Sequence, residues 1–240
     1  MKAKLFKAKT RGHADYGWLQ ANYSFSFANF RDAQRDRFGA LRVLNDDFIK
    51  GGAGFAEHPH HNMEIISIPL QGVLKHKDSL SNTWIPLPAG EVQVMSAGTG
   101  VVHSERNDSA SDELNLFQIW IIPEKNGVVP AYDQKAFLQK DRMGKLQELV
   151  SSYKDTNDKT LKIHQDARIS RLDLSAQESF TYHLKSLQHG VYIMLISGEI
   201  QLDGIVLKQR DALGISQTNS LSLKALENAD ILFIEVPMIF

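Results

Sequence analysis

The sequence predicts an all-β protein made of two β-rich halves on either side of a helical linker. Three observations predict it. Short segments with alternating or β-branched character recur along the chain, a polar helix-favouring stretch interrupts them after Pro130, and a similar glycine-closed hairpin pattern stands on both sides of that stretch. Short strands separated by turn residues at this spacing belong to sandwiches or barrels rather than to βαβ units.

In the first half, Tyr23-Ser24-Phe25-Ser26-Phe27 alternates aromatic and serine residues, the period of a strand with one buried face. Leu41 to Asp47 predicts a strand running into a turn. Glu64 to Leu70 is isoleucine-rich and closes at Gln71-Gly72, and a further strand begins from Gly72 to His76. Glu91 to Met95 and Leu114 to Ile122 complete this half. Asp133 to Tyr153 is polar, with Phe137, Leu138, Leu146 and Leu149 as sparse apolar positions. It predicts one or two short helices broken near Gly144, followed by a polar loop from Ser151 to Lys159. Strand signals resume at Leu161 to Ile163, Ala167 to Leu174, Ser179 to Leu184, Gly190 to Ile196, Glu199 to Leu202, Ile205 to Leu207, Leu221 to Leu223 and Ile231 to Val236.

Leu70-Gln71-Gly72-Val73-Leu74 in the first half has a counterpart in Ile196-Ser197-Gly198-Glu199-Ile200 in the second, which suggests an internal duplication. The expected division is a domain over residues 1–132, a helical linker over 133–159 and a second domain over 160–240.

The chain of 240 residues carries 27 basic and 28 acidic side chains, a net charge of −1, so no nucleic-acid or anionic-membrane surface is indicated. There is no cysteine, which excludes a disulfide scaffold, a thiolate metal site and a thiol redox switch. Any metal must be held by nitrogen and oxygen. The N-terminal residues lack the apolar core of a signal peptide and no apolar run is long enough to span a bilayer, so a soluble cytoplasmic protein is expected.

Three of the nine histidines, His58, His60 and His61, stand together. Residues two apart on a strand share a face, so His58 and His60 project together and His61 points away. Pro59 cannot donate to a ladder and suits an edge strand. His103 and Glu105 repeat the two-apart geometry. Two such pairs on neighbouring strands converge on one interior point with three nitrogens and one carboxylate. Imidazole suits zinc, copper, iron and nickel, and a carboxylate among them is compatible with ferrous iron. Gly51, Gly52 and Gly54 precede the first pair, and Gly98 and Gly100 precede the second, where glycine permits sharp bends.

These residues resemble a known family. Gly52, His58-Pro59-His60 and Glu64 resemble the first cupin motif, and Gly100, His103 and Asn107 the end of the second. The wider string is more specific. Arg11-Gly12-His13-Ala14-Asp15, Gly17-Trp18-Leu19, Ser24-Phe25-Ser26-Phe27-Ala28, His58-Pro59-His60, and Ser96-Ala97-Gly98-Thr99-Gly100 with His103-Ser104-Glu105 are together similar to the pirin family, closely over residues 9–132 and more loosely beyond.

The resemblance implies two stacked cupin barrels (double-stranded β-helix or jelly roll), with one metal in the N-terminal barrel. It implies His58, His60, His103 and Glu105 as ligands, with iron the expected ion and copper, zinc, nickel and manganese as alternatives. Glu64, the glutamate of the general cupin motif, shares the face of His58 and His60 by strand parity and is then a candidate for the surroundings of the ligands. Implied activity is the quercetin 2,3-dioxygenase reaction, in which a flavonol and dioxygen react, the heterocycle opens and carbon monoxide leaves, with Glu105 as the base for the flavonol hydroxyl. The alternative is a metal-dependent, redox-responsive regulatory protein acting on a transcription factor or metabolic enzyme.

A monomer is expected, without direct nucleic-acid or membrane contact. Phe25, Phe27, Phe117 and Trp120 are expected to be packing residues, and His76-Asp78 a solvent-facing turn, with a pair supporting the metal ligands as the alternative. His164, His183 and His189 are expected to be structural. His13 and Trp18 carry the resemblance without an assigned role.

Overall fold

β-branched and alternating residues, cut by turns at glycine or at Asn62, Asn82 and Asp203 with positive φ, form twenty-two strands among residues 1–239, which the computed structural model describes. The first twelve are β1 (Lys2–Phe6), β2 (Gly12–Asp15), β3 (Leu19–Tyr23), β4 (Leu41–Ile49), β5 (Gly54–His60), β6 (Glu64–Gln71), β7 (Val73–Asp78), β8 (Ile85–Pro88), β9 (Glu91–Ser96), β10 (Val101–Asn107), β11 (Leu114–Ile121) and β12 (Ala131–Ala136). The remainder are β13 (Gln147–Ser152), β14 (Leu161–Ile163), β15 (Arg168–Leu174), β16 (Ser179–His183), β17 (His189–Ser197), β18 (Glu199–Leu202), β19 (Ile205–Lys208), β20 (Ala212–Ser216), β21 (Ser220–Ala225) and β22 (Ala229–Pro237).

The N-terminal barrel pairs a seven-stranded sheet, ordered β12-β9-β6-β11-β4-β3-β2, with a four-stranded sheet, β5-β10-β7-β8. The C-terminal barrel repeats the plan with β1-β20-β17-β22-β15-β13-β14 and β16-β21-β18-β19. In sheet order β4, β6, β9 and β11 take the places of β15, β17, β20 and β22, so the duplication suggested by the hairpin pattern is present in the strand connections.

The strand pairing moves the expected domain boundaries. β12 lies beside β9 and so extends the N-terminal barrel through residue 136, while β1 occupies the corresponding edge of the C-terminal sheet, paired with β20 from Lys2↔Ser216 to Phe6↔Ala212. The helical linker expected over 133–159 is not helical either. It consists of the end of β12, one 3-10 turn at Gln139–Arg142, the turn at Gly144 (φ 67°), strand β13 and a loop. Helix propensity is a weak preference there, and pairing with β9 on one side and β15 on the other overrides it. At Tyr23–Phe27 only Tyr23 remains in a strand. The chain then turns away, with Ser24 N–H on the Leu44 carbonyl and Ser26 N–H on that of Arg35.

The two seven-stranded sheets pack back to back, as period-2 patterning requires of a strand apolar on both faces. On β6, Ile66 and Ile68 face the other barrel while Ile65 and Ser67 face inward. On β11, Phe117, Ile119 and Ile121 face the other barrel while Gln118 and Trp120 face inward. Across the interface these residues meet Val150, Ile169, Tyr192, Met194 and Ile234. Phe25 and Phe117 belong to this core, as expected of packing residues. The C-terminal barrel is filled by its own side chains, with Tyr182 stacked on Phe233 at 4.8 Å between ring centroids. The N-terminal barrel has an apolar plug around Leu74, Leu87, Leu114 and Leu116, and a smaller, separate cluster of Ile65, Met95 and Val101.

Phe6, at the end of β1, is 4% exposed and has its ring 5.3 Å from that of Tyr192. Phe6→Ala should therefore cost about 3–5 kcal/mol, read as a lowered urea midpoint. A change below about 1 kcal/mol would show that β1 is not anchored in the core between the barrels.

Candidate metal centre

Strands β5 and β10 pair antiparallel with His103 opposite His58 and Val101 opposite His60. β5 is the edge of its sheet, where Pro59 is tolerated. The register slips between His103 and Glu105, so that Phe55 rather than Ala56 lies opposite Glu105. This bulge turns Phe55 toward the lumen. The strands are so close there that a Cβ on Gly54 would stand 2.2 Å from the Glu105 carbonyl oxygen.

The imidazoles of His58, His60 and His103 converge, with ring centroids 4.3 to 4.9 Å apart and one nitrogen of each within 4.8 Å of the others. His58 Nδ1–H donates to the Ala56 carbonyl at 2.8 Å, which leaves Nε2 free. Both nitrogens of His103 are buried without a hydrogen-bond partner. Burial, then the neighbouring charges of His58 and His76, pushes His103 down to about 3. Burial, then His103 and His58, pushes His60 down to about 4. Neutral imidazoles with orphaned lone pairs meeting at one point are what a divalent transition metal requires, so the donor set fits such an ion.

Glu105 is 2% exposed. Its carboxylate receives the Gln118 amide at 3.0 and 3.3 Å, and Ser67 Oγ lies 3.4 Å from Oε1. One carboxylate oxygen also lies within 4.8 Å of ring nitrogens of both His103 and His76. Gln118 is one of a row of polar residues, one per strand, that crosses the inner face of the large sheet. Tyr23, Asn45, Gln118, Ser67 and Gln93 are each directly opposite the next.

The structure brings His58, His60 and His103 together, sets Glu105 beside His103 in a second group with His76, and separates Glu64 from all of them. Glu64 shares its face of β6 with Ile66 and Ile68, toward the other barrel, because the turn through Asn62 (φ 48°) breaks the parity count from His60. Its Oε2 accepts from Ser96 Oγ at 2.6 Å, and its Oε1 has no partner.

His76 and Asp78 are not a solvent-facing turn. They lie on β7 and are 0% and 3% exposed. His76 Nε2 lies 2.8 Å from Asp78 Oδ2, the Gln93 amide donates to its Nδ1 at 3.3 Å, and its ring stacks on Tyr132 and lies 5.3 Å from that of His103. Alternation was the available signal, since Lys75 and Lys77 on the outer face of β7 require His76 and Asp78 to face inward.

Beside the ligands opens a cavity of about 670 Å³, with His58, His60, Glu105 and Gln118 in its wall and Tyr16, Trp18, Phe27, Phe55 and Trp120 as aromatic lining. Phe27 and Trp120 are therefore cavity residues as well as packing ones. Trp120 meets His60 edge-on at 4.9 Å and Phe27 meets Trp120 at 5.3 Å. Trp18, which had no assigned role, packs edge-on against Phe55 at 5.2 Å in the same wall. His13 lies outside it, exposed beside Asn22.

A three-histidine cluster open to a cavity, with Glu105 beside His103, in the first of two cupin barrels, defines a bicupin with a site suited to a divalent metal. A pirin family model matches residues 5–121, and one described as the quercetinase C-terminal cupin domain matches 149–236. A protein of Escherichia coli named quercetin 2,3-dioxygenase is 41% identical over 233 residues, 97% of this chain and 98% of that protein. A pirin-like protein of Caulobacter vibrioides is 40% identical over 224 residues, 93% and 95% of the two chains. The crystal structure of the bacterial pirin YhhW from Escherichia coli in complex with nickel(II) superposes with a TM-score of 0.92 at 39% identity, covering 99% of this chain and all of that one. The chain belongs to the pirin family.

Gln118→Leu should lower divalent-metal affinity by about 10- to 100-fold, measured by competition with a chelator, since it removes the amide that orients Glu105. Unchanged affinity would show that Glu105 needs no such support. Glu64 gives a pH prediction. Burial pushes its carboxyl up to about 7, against the lowering effect of Ser96 and the His164 backbone. Between its ordinary value and about 7 the folded state holds a proton that the unfolded state has released, so stability is lost as pH rises through that window. The Tm of Glu64→Gln should fall less than that of the unsubstituted protein between pH 5.5 and pH 8. Parallel curves would contradict this.

Proposed function

We propose that this chain is an iron(II)-dependent dioxygenase that opens the heterocycle of flavonols such as quercetin with release of carbon monoxide. The observation that carries the reading is the aromatic-walled cavity that ends on the cluster of His58, His60 and His103 and has Glu105 in its wall. A planar polycyclic ligand matches walls made of Trp18, Phe27, Phe55 and Trp120, and a cavity of this size suits a small molecule better than a protein segment. The Escherichia coli relative named quercetin 2,3-dioxygenase supports the same reading.

His58, His60, His103 and Glu105 would hold the ion. When bound, it supplies Lewis acidity and coordination positions that the protein leaves open. Glu105 accepts the proton of the flavonol 3-hydroxyl. The Gln118 amide fixes the direction of that carboxylate, and Ser67 Oγ fixes Gln118 in turn through its Oε1 at 3.2 Å. The aromatic walls orient the flavonol and exclude water from the reacting carbons. One flavonol and one dioxygen give one ester product and one carbon monoxide. Both oxygen atoms enter the opened ring, and the ring carbon bearing the 3-hydroxyl leaves with its own oxygen. Three imidazoles with one carboxylate suit ferrous iron, and they suit nickel as well.

Anaerobic mixing of iron-loaded protein with quercetin, followed by admission of air, should release carbon monoxide in proportion to oxygen consumed. No carbon monoxide above a Glu105→Ala control overturns the reading. Metal analysis of protein purified without supplementation should find iron as the principal ion.

A further inference from the structure

The inner face of β4 presents Asn45 and Asp47 to the cavity, two residues apart and so on the same side of the strand. They are 3% and 5% exposed, and Oδ1 of each has no hydrogen-bond partner. The opposite face of the same strand is different. Asp46 accepts from the Asn115 amide at 2.9 Å and ion-pairs with Arg210 at 3.2 Å and Arg11 at 3.4 Å. The fold thus pairs the carboxylate it turns toward the other barrel and leaves two acceptors open where the strand meets the cavity. Buried acceptors without donors are uncommon in a native protein. Neighbouring groups do not supply the donors. Gln118 and Tyr23 stand opposite Asn45 on its two sides, the Gln118 amide committed to Glu105 and the Tyr23 hydroxyl to Tyr16, and opposite Asp47 stand Ala21 and Leu116, which have no side-chain donor.

We propose that Asn45 and Asp47 form a hydroxyl-reading subsite, which receives phenolic O–H groups of the ligand remote from the metal and makes polyhydroxylated aromatics the preferred substrates. The inference rests on the flavonol reading of the cavity and names what that reading leaves open, the substrate class. The chemistry excludes other ligands. An anionic group would share the cavity with the Glu105 carboxylate and bring no donor to Asn45 Oδ1. A cationic amine is not favoured either, because burial, then the charges of Asp46 and Glu105, pushes the Asp47 carboxyl well up toward its neutral form. A carbonyl or ether oxygen brings no donor to Asn45 Oδ1. A neutral phenol brings one and can also accept from a carboxylic acid.

The test is equilibrium binding to the metal-loaded protein without oxygen, read by quenching of Trp18 and Trp120, which both line the cavity. The probes are quercetin and 3-hydroxyflavone, which keeps the 3-hydroxyl and lacks the others. The unsubstituted protein should bind quercetin about tenfold more tightly than 3-hydroxyflavone. Asn45→Leu and Asp47→Leu should each remove most of that preference by weakening quercetin alone, and Asp47→Asn, which keeps an acceptor, should retain it. Equal affinities in the unsubstituted protein overturn the proposal without recourse to any variant. A preference that survives both leucine substitutions overturns it too. Binding is read apart from turnover, so the two readings fail separately. Selectivity without carbon monoxide refutes the reaction and supports the subsite, and carbon monoxide without selectivity does the reverse.

Discussion

A carboxylate buried inside a barrel must be met by donors, and the N-terminal half is organised around meeting Glu105. The residue lies on the smaller sheet, and its donors come from the larger one across the lumen. The row from Tyr23 through Asn45, Gln118 and Ser67 to Gln93 crosses five adjacent strands without an apolar interruption. Each of these strands keeps its apolar residues on the face against the other barrel or above and below the row. The same row reaches His76 through Gln93, so the carboxylate and the histidine behind His103 are fixed from one source. The geometry of the candidate metal centre is therefore a property of the large sheet as much as of the four expected ligands.

The C-terminal barrel shows what the same plan does without a ligand. Glu235, on β22, is fully buried, and every acceptor is used. It receives Tyr182 Oη at 2.7 Å, Lys185 N–H at 2.7 Å, His189 Nδ1 at 2.9 Å and Arg168 at 3.0 Å. Against the upward pull of burial, the hydrogen bonds from His189 and Tyr182 and the charge of Arg168 hold its carboxyl below the usual range. A fully paired carboxylate has nothing left to offer an ion. The contrast with His103, whose two nitrogens are unpaired, marks which half carries chemistry.

The ligand pairs were legible in the sequence because strand parity is local. His58 with His60, and His103 with Glu105, each lie within one strand, where residues two apart share a face whatever the rest of the fold does. Glu64 was misplaced for the complementary reason. The count was carried from β5 into β6 across a turn that resets the parity. The expected helices after Asp133 failed because β12 and β13 are edge and near-edge strands whose polar outer residues mimic helix composition. Their partners are not sequence neighbours, lying about twenty residues away for β13 and some forty for β12. His76 was within reach of alternation between the lysines of β7. The roles of Phe27 and Trp120 were not, since an aromatic facing a cavity and one facing a core have the same sequence signature.

Strand β1 couples distant parts of the chain in time as well as in space. Its residues leave the ribosome more than two hundred residues before their partners on β20. At ordinary rates of synthesis that interval is roughly 10–40 s. During it, Lys2–Phe6 has no sheet to join, and afterwards the C-terminal sheet has a bare edge until they arrive. The first barrel can close on its own strands once β12 is made, but the second waits for a segment that emerged before either. Slow closure of such a long loop leaves an exposed strand edge. The vulnerable period for aggregation thus falls after β20 is made, on the half of the molecule away from the candidate metal centre.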